Sequence, residues 1–142
     1  MNTPTPIDSP NTGLILFAHG ARDSRWAVPF EAVAERVRSA RPAAHVVLAY
    51  LEFMAPTLPE AATQLVAAGC TRIEVLPLFL GTGGHVRKDL PLLIDHLRAE
   101  HPALSCTLHA AAGEAASVIE AMAALAASTL DAPLEGAAAG AP

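Results

Sequence analysis

The chain has 142 residues, 52% of them apolar, and its formal net charge is −5. This length predicts one domain with a packed core. The negative charge and the nine scattered Lys and Arg residues argue against binding to nucleic acid or to an anionic membrane. No apolar run approaches the ~20 residues that a membrane-spanning helix needs, so we expect a cytoplasmic protein.

The composition changes near both ends of the chain. Residues 1–12 are polar and rich in proline, which predicts a disordered leader, and residues 131–142 are Ala, Gly and Pro without a pattern, which predicts a flexible tail. The folded domain is therefore expected over residues 13–130. Within it, Cys70 and Cys106 lie in or beside apolar runs and are expected to be buried, reduced thiols.

Strand and helix patterns alternate four times along this domain. Apolar runs rich in branched residues predict strands at 13–18, 45–51, 71–80 and 103–109. Apolar spacing of three and four residues predicts helices at 26–41, 57–68, 85–100 and 115–130. The second helix has the clearest start, because Thr57 followed by Glu60 forms a capping box.

Three of the helices have apolar faces that are expected to point into the core, and in the third helix this face consists of Val86, Leu90, Leu93, Ile94 and Leu97. In the first helix this face consists of Trp26, Phe30, Val33 and Val37. In the last helix it consists of Val118, Ile119, Met122 and Leu125. Alternating strands and helices predict an α/β fold, here a flavodoxin-like open parallel sheet of strand order 2-1-3-4 with helices on both faces.

The candidate site lies where the first and third strands end. His19 follows the first strand, and His85 follows the third strand after the glycine-rich turn Gly81-Thr82-Gly83-Gly84. In the predicted strand order these strands are neighbours at the switch point, where ligands bind in open α/β sheets. Neutral imidazole is both a metal ligand and a base near neutral pH. Glu52, which leaves the second strand at the same edge, is the expected third member of this metal-binding cluster.

The loops around the two histidines have an excess of cations. They contain Arg22, Arg25, Arg87 and Lys88, which favour a polyanionic ligand because guanidinium groups match carboxylates or phosphates. Gly83 and Gly84 allow a ligand to approach the backbone closely. Asp89 lies one turn after His85, and His109 ends the fourth strand; the pattern gives neither of them a definite role.

Three other chemistries can be compared with these motifs. A P-loop needs a lysine after its glycines, and His85 stands there instead. The GxSxG elbow of serine hydrolases is absent from the sequence. A phosphohistidine phosphatase has an arginine directly before its histidine, whereas Ala18 precedes His19.

Residues 13–128 resemble the class II chelatases of tetrapyrrole biosynthesis, specifically the small single-domain sirohydrochlorin cobaltochelatases. The resemblance rests on three segments: Ala18-His19-Gly20 with Arg22 and Asp23; Leu51-Glu52-Phe53 with Pro56; and Pro77-Leu78-Phe79-Leu80 with Gly84-His85-Val86 and Asp89-Leu90-Pro91. Many relatives have a serine where this chain has Ala21.

The resemblance implies insertion of a divalent metal into sirohydrochlorin without a nucleotide. It implies that His19 and His85 bind the metal and accept protons, that the metal is cobalt, iron or nickel, and that two chains pair as a homodimer to complete the cleft. Among these metals we expect Co²⁺ first and Fe²⁺ second. The alternative is a tetrapyrrole or metal carrier on the same fold that catalyses no insertion.

Overall fold

The computed structural model describes residues 11–131. Most of the predicted leader and nearly all of the predicted tail therefore lie outside the described residues. The first strand begins at Thr12, one residue before the predicted start of the domain, and Thr12 is buried.

Four parallel strands form one sheet in the order β2-β1-β3-β4. The strands are β1 (Thr12–Ala18), β2 (His45–Tyr50), β3 (Arg72–Pro77) and β4 (Ser105–Leu108). Leu14 pairs with Val46 on one side and with Glu74 on the other, and Val75 pairs with Leu108. The predicted strand order and the flavodoxin-like class are both confirmed.

Four α-helices connect and follow these strands. They are α1 (Val28–Ala40), α2 (Leu58–Ala67), α3 (Gly84–Glu100) and α4 (Ala116–Ser128). The predicted capping box is confirmed, since Glu60 N donates to Thr57 Oγ1 at 3.3 Å and Thr57 N donates to Glu60 Oε1 at 2.9 Å. None of the helices within residues 11–131 is long and apolar enough to cross a membrane.

The two faces of the sheet are covered unequally. On one face, α2 and α3 enclose a core that includes Phe17, Val75 and Ile94. On the other face, α1 packs over Leu16 and Leu48 of the central and edge strands. Cys70 and Cys106 are buried and free, as predicted, and burial raises the pKa of both thiols.

The predicted inward faces of two helices need correction. None of the 13 residues of α4 is buried, so Val118, Ile119, Met122 and Leu125 do not face a core formed by residues 11–131. In α1, Val33 is exposed while Ala34 is buried. The other three predicted residues, Trp26, Phe30 and Val37, do pack against the core on the α1 face of the sheet, so the correction for α1 concerns Val33 alone.

Candidate functional site

The carboxyl edge of the sheet brings together the loops that follow β1 and β2. The backbone pairing continues past the strands, with Leu51 N donating to Ala18 O at 2.9 Å and Glu52 N donating to His19 O at 3.0 Å. Because of this register, His19 and Glu52 lie side by side at the edge of the sheet.

His19 and Glu52 form a direct side-chain pair. His19 Nε2 lies 3.0 Å from Glu52 Oε1, and the two side chains are 51% and 49% exposed. The imidazole also contacts the ring of Phe79 edge-on, with 6.4 Å between the ring centroids. A neutral imidazole that donates from Nε2 to Glu52 has its lone pair on Nδ1, ready for a metal or a proton.

Gly20 makes this arrangement possible. Its φ of +93° is a left-handed conformation, which favours glycine. A Cβ at this position would collide with the carbonyl oxygen of Glu52. Glycine is therefore required here for the close approach of the two loops that hold the His19–Glu52 pair.

Phe53 is a site residue to which the sequence pattern gave no role. Its backbone has φ +68°, a strained value for a bulky residue and one that is concentrated at functional sites. Phe53 is 56% exposed, and Arg22 Cζ lies 4.9 Å from its ring centroid, within the range of a cation–π contact. The sequence feature that could have indicated a role for Phe53 is its position directly after Glu52.

The four predicted site cations have different surroundings. Arg25 is held by Asp23, with Arg25 Nη2 donating to Asp23 Oδ2 at 2.8 Å, and this hydrogen bond lowers the pKa of Asp23. Arg22, Arg87 and Lys88 are exposed and make no ion pair with the rest of residues 11–131. These three cations are the ones available to an anionic ligand.

His85 lies in the first turn of α3, and its side chain is exposed. Gly83 occupies the N-cap position without a side-chain capping bond, and no acidic residue lies in the first turn. The backbone N–H groups at this helix start are oriented for an anion. A Cβ on Gly81, Gly83 or Gly84 would meet no atom within 4 Å, so the fold itself does not require these glycines.

The histidine pair is not assembled into a closed ligand set. Across residues 11–131, no three His, Cys, Asp or Glu side chains are grouped so that they could hold a metal ion. His19 and Glu52 are in contact, whereas His85 is placed at the same edge of the sheet by the start of α3. Asp89, one turn later, is exposed and lines a shallow pocket with Leu51 and Leu93.

His109 has a partner outside this cluster. Its Nε2 lies 2.8 Å from Glu74 Oε1, and Arg72 Nε donates to the other oxygen of Glu74 at 3.0 Å. Burial opposes ionisation of Glu74, but the hydrogen bonds from His109 and Arg72 outweigh it and lower the pKa of that carboxyl. This group of three lies on the α1 side of the sheet.

The model of the CbiX family matches residues 13–129. The chain belongs to the CbiX family. It is also similar to the crystal structure of a putative cobalamin (vitamin B12) biosynthesis CbiX protein from Marinobacter aquaeolei VT8. That likeness has 32% identity and a TM-score of 0.75, over 84% of this chain and 98% of the other.

Two curated relatives are sirohydrochlorin cobaltochelatases. The protein from Saccharolobus solfataricus is 37% identical over 82 residues, which are 58% of this chain and 62% of the relative. The protein from Methanococcus aeolicus is 29% identical over 87 residues, 61% of each chain. The chain thus matches about three fifths of the length of these two relatives.

Proposed function

We propose that this chain is a chelatase that inserts a divalent metal into sirohydrochlorin, with Co²⁺ as first choice, Fe²⁺ as second and Ni²⁺ as third. The observation that supports this most is the His19–Glu52 pair at 3.0 Å, held at the open edge of the sheet in a member of the CbiX family. The names of the sirohydrochlorin cobaltochelatase relatives support the substrate and the metal.

The reaction needs two kinds of help from the protein. The macrocycle must lose two pyrrole protons, and the metal must exchange its water for pyrrole nitrogens. In this proposal His19 and His85 share both tasks, one imidazole binding the incoming metal while the other accepts the two pyrrole protons in turn and passes each of them to solvent. Glu52 orients His19 and adds negative charge beside the metal. No nucleotide takes part.

The substrate is a polycarboxylate, and the site offers it cations and backbone donors. Arg22, Arg87 and Lys88 would bind carboxylates as charges, and the uncapped start of α3 at Gly83 and Gly84 would bind one through backbone N–H groups. Arg25 was predicted to join them, but its pairing with Asp23 gives it the weakest part in this proposal.

A flat macrocycle also needs an apolar surface beside the metal. Phe53 and Leu80 are 56% and 70% exposed, and they follow β2 and β3 at the site edge. We assign them to contact with the face of the macrocycle, since burial of exposed apolar surface favours binding. The strained backbone of Phe53 fits a position selected for binding rather than for stability.

A carrier that binds a tetrapyrrole or a metal without catalysis is the second candidate, because the His19–Glu52 pair is open to solvent. Turnover separates the two functions. With Co²⁺ and sirohydrochlorin in excess, a chelatase gives many insertions per chain, followed by the absorbance change of the macrocycle. A carrier stops at one equivalent.

We also propose that the protein acts as a homodimer. One four-stranded sheet offers an open edge, whereas a tetrapyrrole has two faces to shield, and a two-fold pair is the commonest assembly of identical chains. Light scattering at assay concentration is expected to give twice the mass of the chain. A monomer mass with full activity would contradict this. The cytoplasmic location stays a prediction from the sequence.

A further inference from the structure

Helix α4 has an apolar face that the rest of residues 11–131 leaves exposed. Ile119, Met122 and Leu125 are 48%, 40% and 69% exposed. They lie on one side of the helix with Val118, and Glu120, the sole charged residue in α4, lies on the opposite side. Such a helix is expected to bury this face against another surface.

A groove of about 260 Å³ lies on the α1 face of the sheet. It is lined by Thr12, Leu14, Val37, Arg41, Ala44, Glu74, Leu76 and His109. These residues belong to β1, α1, β3 and the segments after α1 and β4, and none of them belongs to α4. In a doubly wound sheet this is the face over which the helix after β4 would pack beside α1.

The chain before α4 is fixed at the carboxyl end of β3. Gly113 N donates to Phe79 O at 2.8 Å, and a Cβ on Gly113 would collide with the backbone of Leu80. The turn Ala112–Glu114 is therefore seated over the end of β3. Ala115 then continues in an extended conformation, with φ −76° and ψ 135°, and α4 begins beyond it.

We propose that α4 of a second copy of this chain lies in the groove, so that two chains exchange their last helices. The groove and the helix match in character, since the floor is formed by Leu14 and Leu76, and α4 presents Ile119, Met122 and Leu125. Exchange of an identical element is a recognised route to a two-fold dimer. This inference rests on the homodimer proposed above and identifies its contact surface.

The exchange makes two equivalent contacts. A helix of 13 residues is about 20 Å long, and because exchange is reciprocal, the dimer contains two such helix–groove contacts. The groove also contains the charged group Glu74, and its pairing with His109 and Arg72 allows a helix to cover it without leaving a lone buried charge.

Disulfide trapping tests the exchange without metal or substrate. One cysteine is placed in the groove, as Val37→Cys or Leu76→Cys, and one on the helix, as Met122→Cys or Leu125→Cys, giving four double variants. Mild oxidation is expected to yield dimers on a non-reducing gel for at least one pair, with circular dichroism confirming the fold. Glu120→Cys, on the opposite side of α4, serves as the matched control and should not cross-link to either groove cysteine.

Each of the following three results would contradict the exchange of α4 between two chains. A cross-link within one chain would mean that α4 folds back into its own groove. Dimers from Met122→Cys or Leu125→Cys alone would mean that two α4 helices pair with each other. Absence of groove cross-links in all four folded double variants, together with a dimer mass by light scattering, would remove the exchange but leave the proposed dimer and chelatase intact.

Discussion

At the scale of single residues, the His19–Glu52 pair is poorly suited to a structural role. About half of each side chain is exposed, and exposed ion pairs contribute roughly 0–1 kcal/mol to stability. The chain contains a second exposed pair of the same kind on α3, where His96 Nε2 lies 2.7 Å from Glu100 Oε1. This pair provides an internal comparison for the site.

Glu52→Gln is expected to lower metal insertion by about 10–100-fold, the usual effect of losing the group that orients a ligand imidazole. The melting temperature should stay unchanged, because the pair is exposed. The measurement is the insertion rate followed by absorbance. Glu100→Gln breaks the comparison pair and should retain the full rate. Equal rates for both variants would mean that Glu52 has no part in the reaction.

Arg22→Ala is expected to raise the Michaelis constant for sirohydrochlorin, and more strongly at low ionic strength, where charge attraction is least screened. Arg25→Ala removes the same charge from the same loop, but Asp23 already pairs with Arg25, so its effect should be smaller. Initial rates at two salt concentrations measure both. If Arg25→Ala raised the Michaelis constant more than Arg22→Ala at low salt, Arg25 and not Arg22 would be the cation that binds the carboxylate.

The glycines divide into those that the fold needs and those left for a ligand. Gly20→Ala forces a Cβ into Glu52 O at a left-handed backbone position, so it should lower both the melting temperature and the insertion rate. Gly83→Ala meets open space, so it should leave the melting temperature unchanged and raise only the Michaelis constant. Thermal melts and initial rates for both variants decide this. Equal stability losses would refute the division.

At the scale of elements, local patterns predicted the sheet and the positions of all four helices well. The strands are continuous apolar runs because a parallel sheet is covered on its faces, and alternation with helices leaves few possible strand orders. The Thr57 and Glu60 capping box was predictable because both of its hydrogen bonds form within four residues of sequence. The position of His19 beside Glu52 followed from strand order alone.

Other features depend on contacts that no local pattern contains. Periodicity shows that α4 has an apolar face but not which molecule covers it. Val33 was misassigned because spacing alone does not show which of the adjacent residues Val33 and Ala34 packs against the sheet, and the structure buries Ala34. The close approach of Gly113 to Leu80 and the pairing of His109 with Glu74 both join segments far apart in sequence.

Glu74, the carboxylate on β3, is expected to make the stability of the folded chain depend on pH. The pKa of Glu74 is lowered in the folded chain, so its stabilising contribution is complete above the ordinary carboxyl range and is lost as the pH falls through the folded value. Melting temperatures measured between pH 7 and pH 3 should therefore fall less steeply for Glu74→Gln than for the parent chain. Glu120→Gln, on the exposed side of α4, should follow the parent. A parallel decline for Glu74→Gln would contradict this account.

At the scale of the whole molecule, the candidate site and the proposed dimer contact are close to each other. The site residues lie at one edge, where the loops after β1, β2 and β3 end, and the turn that precedes α4 is seated over Leu80 at the same edge. An exchange of α4 between two chains would therefore connect the site of each chain directly to the dimer contact. Assembly and substrate shielding would then depend on the same segment.

The central claim is that this chain catalyses metal insertion through its two edge histidines. The most direct measurement follows the absorbance of sirohydrochlorin with Co²⁺, both in large excess over the protein, for the parent chain and for His85→Ala. We expect many insertions per chain from the parent, and loss of the reaction in His85→Ala with the circular dichroism spectrum unchanged, because an exposed imidazole supports no core. A reaction that stops at one equivalent per chain, or a folded His85→Ala variant with the parent rate, would contradict the account.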